Sequence, residues 1–181
     1  DVIYFPNWAE KSIQENKTNH ILDFKFPDNK FIVMYTGNIG YAQNFKELIK
    51  TIKILEDHIH WVFIGGGRYK EQFIELLDKE NIISKVSFLD QVSIDQIPSY
   101  ASKASCLFLS LHDREIFSKT VPAKLQSYMA LQKPIIAVLK GDGAEIIKDS
   151  NCGFVEENYN YNNLAKMIQK MSNMSEEELE N

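Results

Sequence analysis

The sequence predicts an α/β domain: a doubly wound, mostly parallel sheet of about six strands with helices on both faces. Three observations predict it. Short, continuous apolar runs of strand length recur along the chain. Continuous rather than alternating apolarity means burial on both faces, the mark of a parallel sheet. Between those runs, apolar residues recur at helical spacing, and turn residues separate the two patterns.

Asp1 to Glu10 reads as a leading linker and strand, and Asn16 to Lys30, rich in Lys, Asn, Asp and Pro, as a surface loop. Phe31-Ile32-Val33-Met34-Tyr35 is the first buried strand, ended by Thr36-Gly37-Asn38-Ile39-Gly40. Phe45, Leu48, Ile49, Ile52 and Leu55 then fall on one helical face. Trp61-Val62-Phe63-Ile64 is a second strand, closed by Gly65-Gly66-Gly67, and Phe73, Ile74, Leu76 and Leu77 fit a helix. Val86 to Leu89 is a short strand. A short helix over Ile94 to Ser102 follows, with Asp95 near its positive end.

The alternation then repeats. Cys106 to Leu111 is a strand, and Pro122 to Leu131 a helix with proline in its first turn, where a missing N–H is harmless. Pro134 to Leu139 is a strand, Ala144 to Asp149 a short helix, and Gly153 to Val155 a last strand. Leu164, Met167, Ile168 and Met171 mark a further helix. Ser175 followed by three glutamates starts another, with a serine cap and acids in its first turn. There is no internal repeat or low-complexity stretch, so residues 1–181 read as one domain.

Composition narrows the function classes. At 44% hydrophobic and 25% charged, a chain of 181 residues is long enough for one sizeable core. Apolar runs such as Ile135 to Leu139 fall far short of the roughly 18 residues that span a bilayer. A net charge of −5 without a basic patch argues against nucleic acid as partner. Cys106 and Cys152 lack metal-ligand spacing. Cys106, inside an apolar run, reads as a buried free thiol, which fits a reducing cytoplasmic setting. The chain opens on Asp1 with no signal peptide, and reads as part of something larger.

Ligands on doubly wound sheets bind at the carboxyl ends of strands, and three loops there carry candidate chemistry. In Gly37-Asn38-Ile39-Gly40, glycines let backbone N–H groups approach an anion; a plain tight turn is the competing reading. Gly65-Gly66-Gly67-Arg68 lacks dinucleotide-fingerprint spacing, since position 70 is Lys, and reads as a turn with Arg68 exposed. Ser118-Lys119-Thr120-Val121-Pro122-Ala123-Lys124 opens a helix with two lysines and a hydroxyl, a seat for a diphosphate; Lys124 as an ordinary surface lysine is the alternative. No Asp-x-Asp supports a metal–diphosphate clamp, and no G-x-S-x-G elbow or Walker A motif is present. Of the histidines (His20, His58, His60, His112), His58 and His60 flank a helix–strand junction and are expected to face solvent rather than a metal.

The order of these loops resembles the C-terminal domain of family 4 glycosyltransferases, retaining enzymes of the two-domain GT-B architecture. The residues that carry the resemblance are Phe5-Pro6-Asn7-Trp8-Ala9-Glu10, Tyr35 to Gly40, Gln43-Asn44-Phe45, Ile64 to Gly67, Thr120-Val121-Pro122-Ala123-Lys124, Tyr128-Met129-Ala130, Lys133 to Ala137 and Asn151-Cys152-Gly153. It is most similar to O-antigen and capsule sugar transferases, including those handling N-acetylated amino sugars.

The resemblance implies a Rossmann-like half that binds a nucleotide-sugar donor, usually UDP-linked, with no cofactor and no metal. The diphosphate would sit on Gly37, Asn38, Gly40 and Lys124, with Lys119 and Thr120 nearby, and the base against Asp90-Gln91-Val92. Positive charge from Lys124 and helix dipoles would stabilise the leaving diphosphate. Partners implied are an N-terminal acceptor-binding domain of the same protein and a lipid-linked glycan at the inner membrane face. This half alone would be inactive.

The sequence departs from the pattern at one place. Relatives carry two glutamates eight positions apart, the second binding ribose hydroxyls; the corresponding residues here are Lys119 and Ser127. Ser127, Gln126 or Glu145 would have to supply the contact. A glycine at the position of Gln132 and a basic residue at that of Asn38 are also absent. Two other readings share parts of the pattern. A GT-B epimerase of UDP-amino sugars fits the architecture, but the Pro-x-Lys…Tyr-Met-Ala run argues against it. A non-catalytic nucleotide-binding module is the alternative outside enzymes.

Overall fold

A computed structural model of the chain describes residues 8–15, 18 and 20–180. Six strands, β1 (Phe31–Thr36), β2 (Ile59–Ile64), β3 (Val86–Leu89), β4 (Cys106–Ser110), β5 (Ile135–Val138) and β6 (Gly153–Glu156), form one sheet in the order β3-β2-β1-β4-β5-β6. Every pairing is parallel. The strand order reverses between β1 and β4, the topological switch point where such sheets take ligands.

The continuous apolar strands have their cause in this layering. On β1, Val33 and Tyr35 point into one core, and Ile32 and Met34 into the other. Helices α2 (Phe45–Ile54), α3 (Lys70–Lys79) and α8 (Tyr161–Ser172) cover the first face. Its core is aromatic: Phe45 stacks on Phe73 at 5.2 Å, and Phe63 meets Tyr35, Trp61 and Phe88. Helices α4 (Ile97–Ala101), α6 (Ala123–Ala130) and α7 (Asp142–Asp149) cover the second face, with Leu125, Tyr128, Ala144 and Ile147 buried. Helices α2 and α3, between β1, β2 and β3, share one face, and the chain changes face where it passes from β3 to β4, as crossovers of a single hand require.

Local caps set several boundaries. The Asn160 side chain accepts from the N–H groups of Asn162 and Asn163 to start α8. Ser175 and Glu178 form a reciprocal box before α9 (Glu176–Glu180). Asn44 takes a left-handed conformation (φ 54°) immediately before α2.

Some expectations change. Pro122 lies one residue ahead of α6, at its cap, rather than inside the first turn. Two short helices, α1 (Lys11–Gln14) and α5 (Glu115–Ser118), have too few residues for a periodic signal. The expected leading strand falls largely on residues 1–7, outside the described residues; 8–10 have no regular structure. Leu22, Phe24 and Phe26 from the predicted surface loop pack on the second core. His60 is corrected outright. It lies within β2, 8% exposed, with Nε2 2.9 Å from Ser87 Oγ, and burial pulls its imidazole below the usual range. Trp61 and Val62 follow it in the strand, so the junction sits earlier than the sequence suggests.

Candidate functional site

The sheet parts at the switch point. β1 pairs with β2 over six residues but with β4 over two, Val33 with Cys106 and Met34 with Leu107. Thr36, at the end of β1, therefore has no ladder partner on that side. The Tyr128 hydroxyl from α6 takes its place, accepting from Thr36 N–H at 2.9 Å. A buried amide without an acceptor costs about 1–3 kcal/mol, so this bond fixes α6 against the strand end.

A cleft of about 770 Å³ opens there. Its walls are the β1 loop (Gly37, Asn38), the β2 loop (Gly65 to Gly67), the β3 loop (Gln91 to Ile94), one face of α6 (Ala123, Lys124, Ser127) and the start of α1 (Glu10, Ile13). Two of the loops are welded by backbone bonds: Gly37 N–H to Ile64 C=O (2.8 Å), Ile39 N–H to Gly66 C=O (2.7 Å) and Tyr69 N–H to Ile39 C=O (3.0 Å). Glycine is required at this approach. A Cβ at Gly65 would fall 2.1 Å from Gly37 O, and one at Gly67 2.2 Å from Ile39 O, both at positive φ.

Lys124 is the charged centre of the cleft. Its half-buried Nζ donates to the Tyr35 hydroxyl at 2.6 Å and lies 3.8 Å from that ring's centroid. It also packs on Gly37, where an added Cβ would come within 2.9 Å of Nζ. Burial pulls the amine down to about 7 from its ordinary value. Burial pushes the Tyr35 hydroxyl up, so it stays protonated and donates to Asn38 C=O at 2.7 Å. When protonated, the amine faces a neutral phenol and an aromatic face, an arrangement that leaves its charge available to an anion.

Six of the sequence-selected residues line this cleft: Gly37, Asn38, Gln91, Val92, Lys124 and Ser127. The Gly37 N–H is committed to Ile64, and that of buried Gly40 to Gln43 Oε1 at 3.0 Å, so Gly40 shapes the loop from behind. Asp90 is turned to solvent and pairs with Lys70 at 2.8 Å. Lys119 pairs with Glu115 at 2.6 Å, and Thr120 Oγ1 bonds the Ile116 and Phe117 carbonyls at 3.3 Å; both are exposed beyond the cleft wall. Gln126 points to the Pro122 and Ala123 carbonyls, and Glu145 pairs with Lys148 at 3.5 Å. Neither lines the cleft. Among the described residues no group of His, Cys, Asp or Glu could hold a metal ion, and no helix is long and apolar enough to cross a membrane.

Glu10 enters the cleft unannounced. Its Oε2 accepts from Ser127 Oγ at 3.1 Å. It ends the Pro-Asn-Trp-Ala-Glu run, but 117 positions separate the two residues, and no local pattern connects them. In the sequence Tyr35 belongs to the first apolar strand and Tyr128 to the Tyr-Met-Ala motif. Only the fold shows that their hydroxyls meet Lys124 and Thr36.

The pattern of the family described as "Glycosyl transferases group 1" matches residues 16–181. The chain is 27% identical to the putative colanic acid biosynthesis glycosyl transferase WcaI of Escherichia coli, over 72% of this chain and 33% of that protein. It is 26% identical to the uncharacterized glycosyltransferase MJ1178 of Methanocaldococcus jannaschii, over 97% of this chain and 50% of that one. The chain thus spans a third to a half of the curated relatives it matches. By structure it is similar to WaaG, a glycosyltransferase involved in lipopolysaccharide biosynthesis (TM-score 0.66, 18% identity, 93% of this chain and 42% of that one). It is also similar to HepE of Anabaena, solved in complex with UDP and glucose (TM-score 0.67, 17% identity, 80% and 39%). At these identities the structural likeness is one of fold, GT-B and Rossmann-like. The matched family pattern, which takes in nearly all of a six-stranded sheet whose cleft opens at the switch point, shows that this chain belongs to the group 1 glycosyl transferases.

Proposed function

We propose that this chain is the nucleotide-sugar-binding half, C-terminal in its protein, of a retaining family 4 glycosyltransferase that moves a sugar from a UDP-linked donor to a growing surface polysaccharide. The observation that carries the reading is Lys124, a half-buried ammonium facing the cleft with no carboxylate partner among the described residues. Such a charge matches a diphosphate, and at the moment of transfer it stabilises the negative charge of the departing nucleotide. Asn38 and the Gly65 to Gly67 loop line the same end, where the diphosphate would lie. Exposed Gln91 and half-buried Val92 offer a wall for the base.

Support comes from the company the chain keeps. HepE, which shares the fold, was solved in complex with UDP and glucose, and WcaI is described as a putative colanic acid biosynthesis glycosyl transferase. The N-acetylated amino sugar, the lipid-linked acceptor, metal independence and a place at the inner face of the membrane extend the same reading. The acceptor-binding domain would be a second α/β unit of the same protein, and transfer would need both.

Calorimetry with UDP, GDP and ADP tests this. A nucleoside diphosphate at millimolar concentration is expected to bind and to raise the melting temperature, since binding stabilises the fold by RT ln(1 + [L]/Kd). Heat and melting point unmoved by all three would refute the donor site.

A further inference from the structure

Helix α6 presents Lys124 and Ser127 to the cleft one turn apart, at the i, i+3 spacing that puts side chains about 5–6 Å from each other. If the diphosphate meets Lys124 and the base rests on Gln91 and Val92, the ribose joining them must pass the wall between. Ser127, Glu10 and Ile13 line the cleft on α6 and at α1, and α1 also touches the Ile94–Gln96 turn that follows Gln91 and Val92. Ser127 alone brings a neutral hydroxyl. Glu10 brings a carboxylate, whose Oε2 is held at 3.1 Å by Ser127 Oγ and whose second oxygen makes no hydrogen bond among the described residues.

We propose that Glu10 is the ribose-binding carboxylate of this site, accepting the 2′- and 3′-hydroxyls of the nucleotide, with Ser127 serving to orient it. This inference rests on the donor-site reading above. A cis-diol offers two O–H donors side by side, and an ionised carboxylate offers only acceptors, so the pair is chemically matched. Acidic residues take this role on ribose in other doubly wound sheets.

The placement is firm because α1 is anchored. Ile13 is 1% exposed in the second core, the Glu10 carbonyl accepts from Ile13 and Gln14 N–H at 3.0 Å, and α1 packs on both α6 and the Ile94–Gln96 turn. The carboxylate that the α6 sequence lacks is supplied from the other end of the chain.

The test uses the tightest binder among UDP, GDP and ADP, its 2′,3′-dideoxy analogue and inorganic pyrophosphate, titrated into wild type, Glu10→Ala and Glu10→Gln. Wild type is expected to prefer the ribonucleotide over the dideoxy analogue by about tenfold or more. Glu10→Ala should lose that preference while binding pyrophosphate and the dideoxy analogue as wild type does. Its melting temperature should hold, because the exposed Glu10 side chain makes no helix-cap bond. Glu10→Gln, which still accepts from Ser127, should fall between the two if Glu10→Ala melts early. Unchanged ribonucleotide binding in both variants, or equal loss for all three ligands, overturns the role of Glu10 and leaves the donor site standing. A wild type that binds no nucleoside diphosphate overturns both.

Discussion

Lys124 Nζ sits 2.6 Å from the Tyr35 hydroxyl and 3.8 Å from the centroid of the same ring, so one tyrosine of β1 both accepts from the amine and faces it with π density. The hydroxyl proton is committed to Asn38 C=O. The strand end, the first glycine loop and the start of α6 are thereby joined at one charged atom.

Replacing Lys124 by Met should separate function from stability. The stem volume is kept, and a half-buried amine with no carboxylate partner among the described residues is removed. The variant is expected to gain about 1 kcal/mol, read by chemical denaturation. Its affinity for UDP should fall about tenfold or more while that for uridine stays unchanged. Equal losses for the two ligands would show that Lys124 does not meet the diphosphate.

The pH dependence follows from the depressed amine. Between about 7 and the ordinary lysine range, the unfolded chain carries the Lys124 proton and the folded chain does not. Stability attributable to this residue therefore rises as pH climbs through that window, and the rise disappears in Lys124→Met. Diphosphate binding runs the other way, because the ligand's charge holds the proton on the amine. Calorimetry near pH 8 in two buffers of different ionisation enthalpy should show proton uptake. Affinity should weaken as pH rises from 7 to 9.

The glycine loop makes a graded prediction. Gly66→Ala is expected to be nearly neutral, since an added Cβ meets nothing within 4 Å. Gly65→Ala and Gly67→Ala drive a methyl into the backbone oxygens of Gly37 and Ile39 at positive φ, and should cost about 2 kcal/mol or more. Thermal melts of the three variants order them. A Gly66→Ala as damaging as the other two would mean the loops are not held as described.

Tyr128→Phe keeps the buried ring and removes the acceptor for Thr36 N–H. The expected cost is about 1–3 kcal/mol, the penalty of an orphaned buried amide. Amide exchange at Thr36 should accelerate before that of Val62 or Phe63 in the neighbouring strand, which keep their ladder.

Most of the architecture was legible because the signals were local. A strand buried on both faces is apolar at every position, as Phe31 to Tyr35 and Ile135 to Val138 are, and amphipathic helices such as α2 announce themselves by spacing. The short helices α1 and α5 escaped because four residues give no period. His60 misled because a polar side chain near a predicted boundary reads as solvent-facing, whereas in the fold Ser87 of the adjacent strand satisfies it. Within the site, the glycine loops and the α6 start were legible as strand-end loops, and the β3 loop only through the family resemblance. Their division into cleft-lining residues (Asn38, Gln91, Lys124, Ser127) and residues turned away (Asp90, Lys119, Gln126, Glu145) was not, because each loop's facing depends on neighbours far away in the chain.

The sequence by itself determined the alternation of elements, the parallel character of the sheet and the edge at which chemistry gathers, because each follows from hydrophobic period and turn residues over a few positions. Tertiary structure alone decided what surrounds Lys124 and Ser127. Tyr35 lies 89 positions from its lysine and Glu10 lies 117 from its serine, so their meeting depends on how β1 and α1 pack against α6. Only that packing turns an ordinary-looking lysine into a low-pKa cation facing a cleft, and only it returns a carboxylate to a helix whose own sequence has none.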